Sequence, residues 1–171
     1  MLERMRQVAF LVRDLEEGKE LYRRHLGMET CHSEDLSNYG LLNAVLPAGE
    51  GTFIELLQST STDSSAARYL ERRGESPYML IFETNEYDRL IPHLQSMGVL
   101  LSEEPAADDY RHAFIHPSSA NGAFLEIIEV TAGDNPWPAA GPDWQLLAHQ
   151  PLTKQIRQIA VLVRDLDEAI K

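Results

Sequence analysis

The sequence predicts an α+β fold built from two copies of a βαβββ module. The order strand, helix, strand, strand, strand can be read twice along the chain. The first helix of each copy ends at a glycine, Gly27 or Gly98, and these glycines are 71 residues apart. The segment Thr52–Gln58 resembles Ala123–Glu129, again 71 residues later. A repeat at a fixed offset indicates a duplicated structural unit. The predicted modules span residues 1–60 and 75–132.

The first module begins with an apolar run of strand length, Val8–Val12. Asp14 follows as an N-cap with Glu17 three residues later, a capping-box pattern that predicts the start of a helix. This helix is expected to end at Gly27, a C′ glycine. The face expected to be buried carries Leu15, Leu21, Tyr22 and Leu26. Three more strands are predicted at Met28–Glu34, Leu41–Leu46 and Thr52–Leu57.

The second module follows a polar segment and a short helix that stops at Gly74. A strand is predicted at Tyr78–Thr84 and a helix at Glu86–Met97. The face of that helix expected to be buried carries Leu90, Ile91, Leu94 and Met97. The last three strands are predicted near Val99, at Arg111–Ile115 and at Ala123–Val130.

Residues 133–153 differ in composition from both modules, with four of the nine prolines and both tryptophans. Proline at this density fixes backbone angles and removes hydrogen-bond donors, so we expect a semi-rigid linker. Trp137 and Trp144 are expected to pin this linker to the domain surface.

The segment Arg6–Leu15 returns as Arg157–Leu166 with eight of ten residues identical. We therefore expect residues 154–171 to be the first strand and helix start of a truncated second domain, which could also pair with a partner chain.

Composition restricts the functional classes. A net charge of −12 opposes binding to nucleic acid or to an anionic membrane surface. Cys31 is alone, so neither a disulfide framework nor a cysteine-based zinc site is expected. No signal peptide or membrane-spanning run is recognisable, and a cytoplasmic protein is expected.

Several motifs resemble the vicinal-oxygen-chelate superfamily, which includes glyoxalases, bleomycin-resistance proteins, extradiol dioxygenases and methylmalonyl-CoA epimerases. The resemblance covers residues 5–130. "VRDLEEGKELYRRHLGM" is similar to the first strand and helix of that family, "TFIELLQ" to its fourth strand and "AFIHPSSANGAFLEIIE" to its closing hairpin. "SSAARYLERRGE" (Ser64–Glu75) is most similar to the helix between the modules of the epimerase. The resemblance implies a curled mixed sheet around a cleft.

In metal-dependent members of that family, four strand residues hold a divalent ion in the cleft. The resemblance places the four positions at Gln7, Glu55, Met79 and Glu126. Both carboxylates of the usual family set are present, and the two histidines that this set has at the other positions are missing. A thioether is a poor ligand for a hard ion beside carboxylates, so no cofactor is predicted and a divalent metal is disfavoured by Gln7 and Met79. A shift of one residue would direct Tyr78 into the cleft instead. The six histidines are expected to be surface or hydrogen-bonded side chains and not ligands.

Glu55 and Glu126 each interrupt an apolar strand, which leaves three interpretations open. Both acids could face a wet edge or pair with an arginine such as Arg111. Alternatively, both could face one cleft, where proximity raises at least one pKa and produces a proton acceptor near neutral pH. The two acids could also bind a cationic ligand.

Three functional hypotheses follow. The first is a protein with a degenerate metal site that binds a small organic ligand through Gln7, Glu55, Tyr78, Met79 and Glu126. The second is a metal-dependent isomerase or lyase of the epimerase or glyoxalase type, which abstracts a proton next to a carbonyl with Glu55 or Glu126. The third is the non-catalytic half of a tandem protein. A homodimer is also expected, since proteins of this fold often complete the cleft by pairing modules from two chains.

Overall fold

A computed structural model describes residues 2–170 of the chain, which form one eight-stranded mixed sheet curled around a cavity. The strand order is β2-β3-β4-β1-β5-β8-β7-β6. The strands are β1 Leu2–Val12, β2 Asp35–Leu36, β3 Leu41–Gly49, β4 Thr52–Ser59, β5 Ser76–Thr84, β6 Leu101–Glu103, β7 Tyr110–Ile115 and β8 Phe124–Val130. The helices are α1 Leu15–Leu26, α2 Ser65–Arg73, α3 Tyr87–Ser96, α4 Trp144–Leu147 and α5 Leu166–Ala169. The predicted α+β fold of paired βαβββ modules is confirmed.

The two halves of the sheet are related by an approximate twofold axis. In each half the first and last strands of the module run parallel, β1 beside β4 and β5 beside β8. The halves join where β1 and β5 pair antiparallel, with Gln7 opposite Ile81 and Ala9 opposite Met79. Exchange of the two strands maps each of these pairs onto the other. Equivalent sequence positions therefore reach the cavity from opposite sides.

Helix α1 forms as its capping residues predict. The Asp14 side chain accepts a hydrogen bond of 2.9 Å from the backbone N–H of Glu17, and Gly27 closes the helix in the left-handed conformation. The expected buried face is partly wrong, because Leu21 is 47% exposed. Met97 is likewise 70% exposed at the end of α3, where burial was expected.

The predicted strand Met28–Glu34 is wrong, since β2 contains only Asp35 and Leu36. Before it, a single bridge joins His32 to Val45. The ladder is interrupted because the side-chain oxygen of Asn43 accepts the backbone N–H of Glu34 at 2.7 Å. A side chain thus occupies a donor that a regular strand would pair with backbone. The strand predicted near Val99 begins instead at Leu101.

The linker penetrates the molecule further than expected. Trp137 is fully buried and packs with Val45, Ile81 and Ile128 in one apolar cluster, so its expected place on the domain surface is wrong. Trp144 is 7% exposed and meets the Phe53 ring edge-on, with 5.1 Å between ring centroids. The linker therefore completes the core of the described chain.

Residues 154–163 form no strand within the described residues 2–170. They cross the β3–β4 hairpin, where the Thr52 hydroxyl accepts the backbone N–H of Ile156 at 2.9 Å. Asp165 caps α5 by accepting the backbone N–H of Glu168, as Asp14 caps α1. Leu162 is 98% exposed. Whether this segment starts a second domain stays a prediction.

None of the helices in residues 2–170 is long and apolar enough to cross a membrane.

Candidate ligand-binding site

A cavity of about 970 Å³ lies on the concave face of the sheet, and both modules contribute to its walls. Such a volume is in the range of small-molecule sites. The residues predicted to line a cleft all line this cavity: Gln7, Glu55, Tyr78, Met79 and Glu126. The curvature of the sheet brings them together from four strands.

The strand register places the two cleft acids at equivalent positions. On β4, Glu55 lies opposite Ala9 of β1, and on β8, Glu126 lies opposite Ile81 of β5. Ala9 and Ile81 each stand two residues after the other predicted cleft residue of their strand, Gln7 and Met79. The module duplication therefore sets two carboxylates in one cavity.

Glu55 is buried and accepts hydrogen bonds on both carboxylate oxygens. Gln7 Nε2 donates to Oε2 at 2.9 Å, and Asn43 Nδ2 donates to Oε1 at 3.0 Å. Burial raises the pKa of Glu55 to about 7, although the bonds from Asn43 and Gln7 oppose this rise. The negative charges of Glu126 and Glu34 add to it. Near neutral pH this carboxyl therefore exists in both protonation states.

The two side-chain amides that donate to Glu55, those of Gln7 and Asn43, are each held in one orientation by a second group. The indole N–H of Trp137 donates to Gln7 Oε1 at 3.1 Å. The backbone N–H of Glu34 donates to Asn43 Oδ1 at 2.7 Å. An indole N–H or a backbone N–H can only donate, so each side-chain amide must present its NH₂ group to Glu55.

Glu126 has a different partner. Its Oε1 atom lies 2.7 Å from Nδ1 of His112, and its side chain is nearly as buried as that of Glu55. The interpretation that pairs these acids with an arginine is wrong for Arg111, which bonds Asp88 and Glu129 instead. His112 was expected to be a surface or hydrogen-bonded side chain. It is hydrogen-bonded, but it lies in the cavity wall.

An aromatic series forms much of the second module's wall. Neighbouring rings in the series have centroids between 5.3 and 5.6 Å apart, the range of favourable ring contacts. The series runs through Tyr110, His112, Phe114, Phe124 and Tyr78. Tyr78 and its neighbour Met79 both line the cavity. The two registers considered for this strand therefore do not exclude each other.

The charged groups around the cavity are nearly all acidic. Among the described residues that line it, there are three histidines and neither lysine nor arginine. The lining carboxylates are Glu34, Asp35, Glu55, Glu104, Asp109 and Glu126. The potential inside is therefore negative, and low-dielectric walls strengthen it.

The donor atoms do not fit the divalent ion that the family resemblance implies. Gln7 Oε1 accepts the indole N–H of Trp137, so Gln7 directs its NH₂ group, which cannot bind a cation, toward Glu55. Met79 offers only a soft thioether. Within residues 2–170, no group of three or more His, Cys, Asp and Glu side chains could hold a metal ion.

Sequence reasoning did not identify two residues of this arrangement, Asn43 and Trp137. A buried polar residue inside the apolar run Leu41–Leu46 is the signal that could have identified Asn43, because such a side chain needs partners. Trp137 carries no comparable signal, since its contact with Gln7 joins residues 130 positions apart.

Comparisons with known proteins agree with this architecture. The family model of the glyoxalase-like domain matches residues 8–171. The ethylmalonyl-CoA/methylmalonyl-CoA epimerase of Cereibacter sphaeroides is 30% identical over 135 residues, which cover 76% of this chain and 100% of that protein.

Solved structures of methylmalonyl-CoA epimerases are also similar to this chain. The enzyme from Mycobacterium tuberculosis is 30% identical with a TM-score of 0.68, and the match covers 75% of this chain and 88% of that one. A variant of the Streptomyces coelicolor enzyme in complex with 2-nitronate-propionyl-CoA is 26% identical with a TM-score of 0.70, covering 80% and 100%. The chain therefore belongs to the glyoxalase-like family of the vicinal-oxygen-chelate superfamily, and within that superfamily it is similar to the methylmalonyl-CoA epimerases.

Proposed function

We propose that this protein binds a small organic cation in its cleft, with Glu55 as the anionic anchor and without a divalent metal. The observation that carries the proposal is the charge of the lining: its described residues include six carboxyl groups and neither lysine nor arginine. A cation entering this cavity is attracted by the ionised carboxylates, whereas an anion is repelled by them.

The apolar part of such a ligand has a matching surface. The aromatic series from Tyr110 to Tyr78 provides ring faces and edges on one side of the cavity. Aromatic faces attract ammonium groups and also pack well against flat apolar groups. A ligand with an amine and an unsaturated or aromatic body would contact both kinds of wall.

Glu55 is suited to anchor the charged end. Each of its oxygens has a second lone pair beyond the one used by Gln7 or Asn43, so it can accept another hydrogen bond. A cation nearby favours the ionised form of this carboxyl, which adds a charge-assisted bond.

A second candidate function is epimerisation of an acyl-CoA substrate. It is favoured by the similarity to methylmalonyl-CoA epimerases and by the pKa of Glu55 near 7, which suits a proton acceptor. The acidic lining weighs against it, because coenzyme A carries several phosphate charges. We derive no metal-dependent step for this chain.

Binding of matched probes distinguishes the two functions. Metal-free protein is titrated with 4-phenylbutylamine, with its neutral isostere 4-phenylbutanol and with methylmalonyl-CoA. We expect the amine to bind at least about tenfold more tightly than the alcohol, and the Glu55→Gln variant to lose that preference. Glu71→Gln, which removes an equal charge from the exposed face of α2, is the control and should keep it.

Two results would overturn the proposal. One is equal binding of the amine and the alcohol by the wild-type protein. The other is exchange of the α-proton of methylmalonyl-CoA for deuterium in D₂O, lost in Glu55→Gln, which would establish the second candidate.

A further inference from the structure

Trp137 lies outside both modules and is held in place independently of Gln7. Its backbone N–H donates to Asn135 Oδ1 at 3.1 Å. The guanidinium of Arg6 stands 4.9 Å from the centroid of the indole ring and also donates to the Pro136 carbonyl at 3.0 Å. The side chain is fully buried. The direction of its indole N–H is therefore set by the fold and not by the residue that receives it.

The indole N–H determines which end of Gln7 faces the acid. A glutamine amide has an acceptor end and a donor end of nearly equal shape, and without a neighbour it can adopt either orientation. The indole can only donate, so it pairs with Oε1 and leaves Nε2 directed at Glu55. Asn43 is fixed in the same sense by the backbone of Glu34.

This arrangement makes Glu55 an acceptor towards every protein group that bonds it in the described structure. If Gln7 were reversed, its oxygen would face a carboxylate oxygen, and the two acceptors would need a proton or a metal ion between them. The orientation of one amide thus decides what chemistry the cavity can accept.

We propose that Trp137 is the positioning residue of this cleft: by fixing the amide of Gln7 it makes the site selective for ligands that donate hydrogen bonds through a positive group. The selectivity for a cation rests on the function proposed above. The fixed amide does not, because it is a property of the ligand-free protein. The experiments below separate the two.

The fixed amide is tested first, in the absence of any ligand. The side-chain NH₂ signals of Gln7 and Asn43 are observed by ¹⁵N–¹H NMR and assigned by their loss in Gln7→Met and Asn43→Leu. In Trp137→Phe we expect the Gln7 signals to shift and to exchange faster with water, while those of Asn43 stay in place. Trp144→Phe is the matched control. It removes a donor to Asn135, which also accepts the backbone N–H of Trp137, but it keeps the Trp137 indole, so both sets of signals should stay unchanged. Unchanged Gln7 signals in Trp137→Phe would overturn the proposal.

A second variant answers the objection that Trp137→Phe disturbs packing or fails to fold. The chain has two tryptophans, so in a Trp144→Phe background Trp137 can be replaced alone by β-(3-benzothienyl)alanine during expression. This analogue keeps the shape of the double ring and exchanges only the N–H group for sulfur. The Gln7 signals should move as they do in Trp137→Phe, and their failure to move here would also overturn the proposal.

Selectivity is then measured with 4-phenylbutylamine and 4-phenylbutanol. The loss of the N–H group should weaken binding of the amine about tenfold and leave binding of the alcohol within about twofold. Equal loss for both probes would show that Trp137 acts only through packing and would overturn its role in selectivity. If the wild-type protein binds neither probe, the proposed function fails, while the NMR result still decides whether the amide is fixed.

Discussion

Glu55 and Glu126 occupy equivalent positions in the two modules but meet different chemical surroundings. The register shows the equivalence on the neighbouring strands as well: Asn43 corresponds to His112, and Gln7 corresponds to Met79. Glu55 receives two amide donors, whereas Glu126 receives one contact from an imidazole. Duplication of the backbone has therefore not duplicated the electrostatics.

The difference suggests that the two acids have different hydrogen-bonding roles inside one cavity. The amide partners of Glu55 do not titrate, so any proton taken up at this point must reside on Glu55 itself. The partner of Glu126 is an imidazole, whose Nδ1 donates or accepts according to its tautomer. The two equivalent acids thus offer a ligand one group of fixed hydrogen-bonding direction and one whose direction depends on the histidine tautomer.

The largest expected effect concerns the pH dependence of stability. The folded state holds the Glu55 proton up to a pKa of about 7, whereas the reference value is 4.5. Between these values the folded state binds more protons than the unfolded state, so the free energy of unfolding falls as pH rises through this window and is flat above it. The contribution is about 3 kcal/mol, and Glu55→Gln should remove it.

Urea unfolding at pH 5 and pH 8 measures this effect in the wild-type protein and in Glu55→Gln. The same measurement on Glu126→Gln tests the comparison between the acids. If Glu126→Gln removes as much of the pH dependence as Glu55→Gln does, the two sites are alike and the inferred difference between the two acids is wrong.

A smaller effect is expected from Asn43→Leu. This substitution leaves a buried carboxylate with one donor fewer, which costs about 2 kcal/mol of stability at pH 8. The loss should be smaller at pH 5, where the protonated carboxyl has less need of a donor. His112→Leu removes the corresponding residue of the second module and serves as the matched variant. A loss for Asn43→Leu that is the same at both pH values would contradict the assigned role.

The smallest effect is expected from Met79→Gln, which places an amide at the position equivalent to Gln7. Met79 packs against the apolar cluster that contains Trp137, but the indole N–H of Trp137 already donates to Gln7, so the orientation of the new amide toward Glu126 is not fixed by it. The free energy of unfolding should stay within about 1 kcal/mol of the wild-type value by chemical denaturation. A destabilisation of more than about 2 kcal/mol would show that the second half tolerates no such partner.

The sequence predicted the fold well where the signal is local. Apolar runs, the cap at Asp14 and the glycine at Gly27 specify β1 and α1, and the repeated Phe-apolar-Glu motif of β4 and β8 locates both cleft acids. The error at Met28–Glu34 has a physical cause. The Asn43 side chain takes up the Glu34 backbone donor and interrupts the ladder, and no local pattern in the segment itself reports this contact.

The partners of the acids could not be predicted in the same way. The contact between Trp137 and Gln7 depends on how the linker folds back across the sheet, and no periodicity encodes that path. Composition set residues 133–153 apart from the modules, but it misplaced the tryptophans because their aromatic rings are equally compatible with a surface and with a core. The two cleft acids were thus accessible to sequence reasoning, whereas Asn43 on β3 and Trp137 in the linker, which orient the partners of Glu55, were not.

The near-identity of Arg6–Leu15 and Arg157–Leu166 has a consequence for how this chain folds. The chain offers β4 and β5 two candidates for the central strand, one of which is left outside the sheet in the described structure. The entropy of closing the longer loop to β4 disfavours the second candidate by only about 0.7 kcal/mol. Phe10, which packs against Tyr22, is replaced by Val161 in the second copy. The ring contact with α1 is therefore one that only the first copy can make, and it favours that copy at the centre of the sheet.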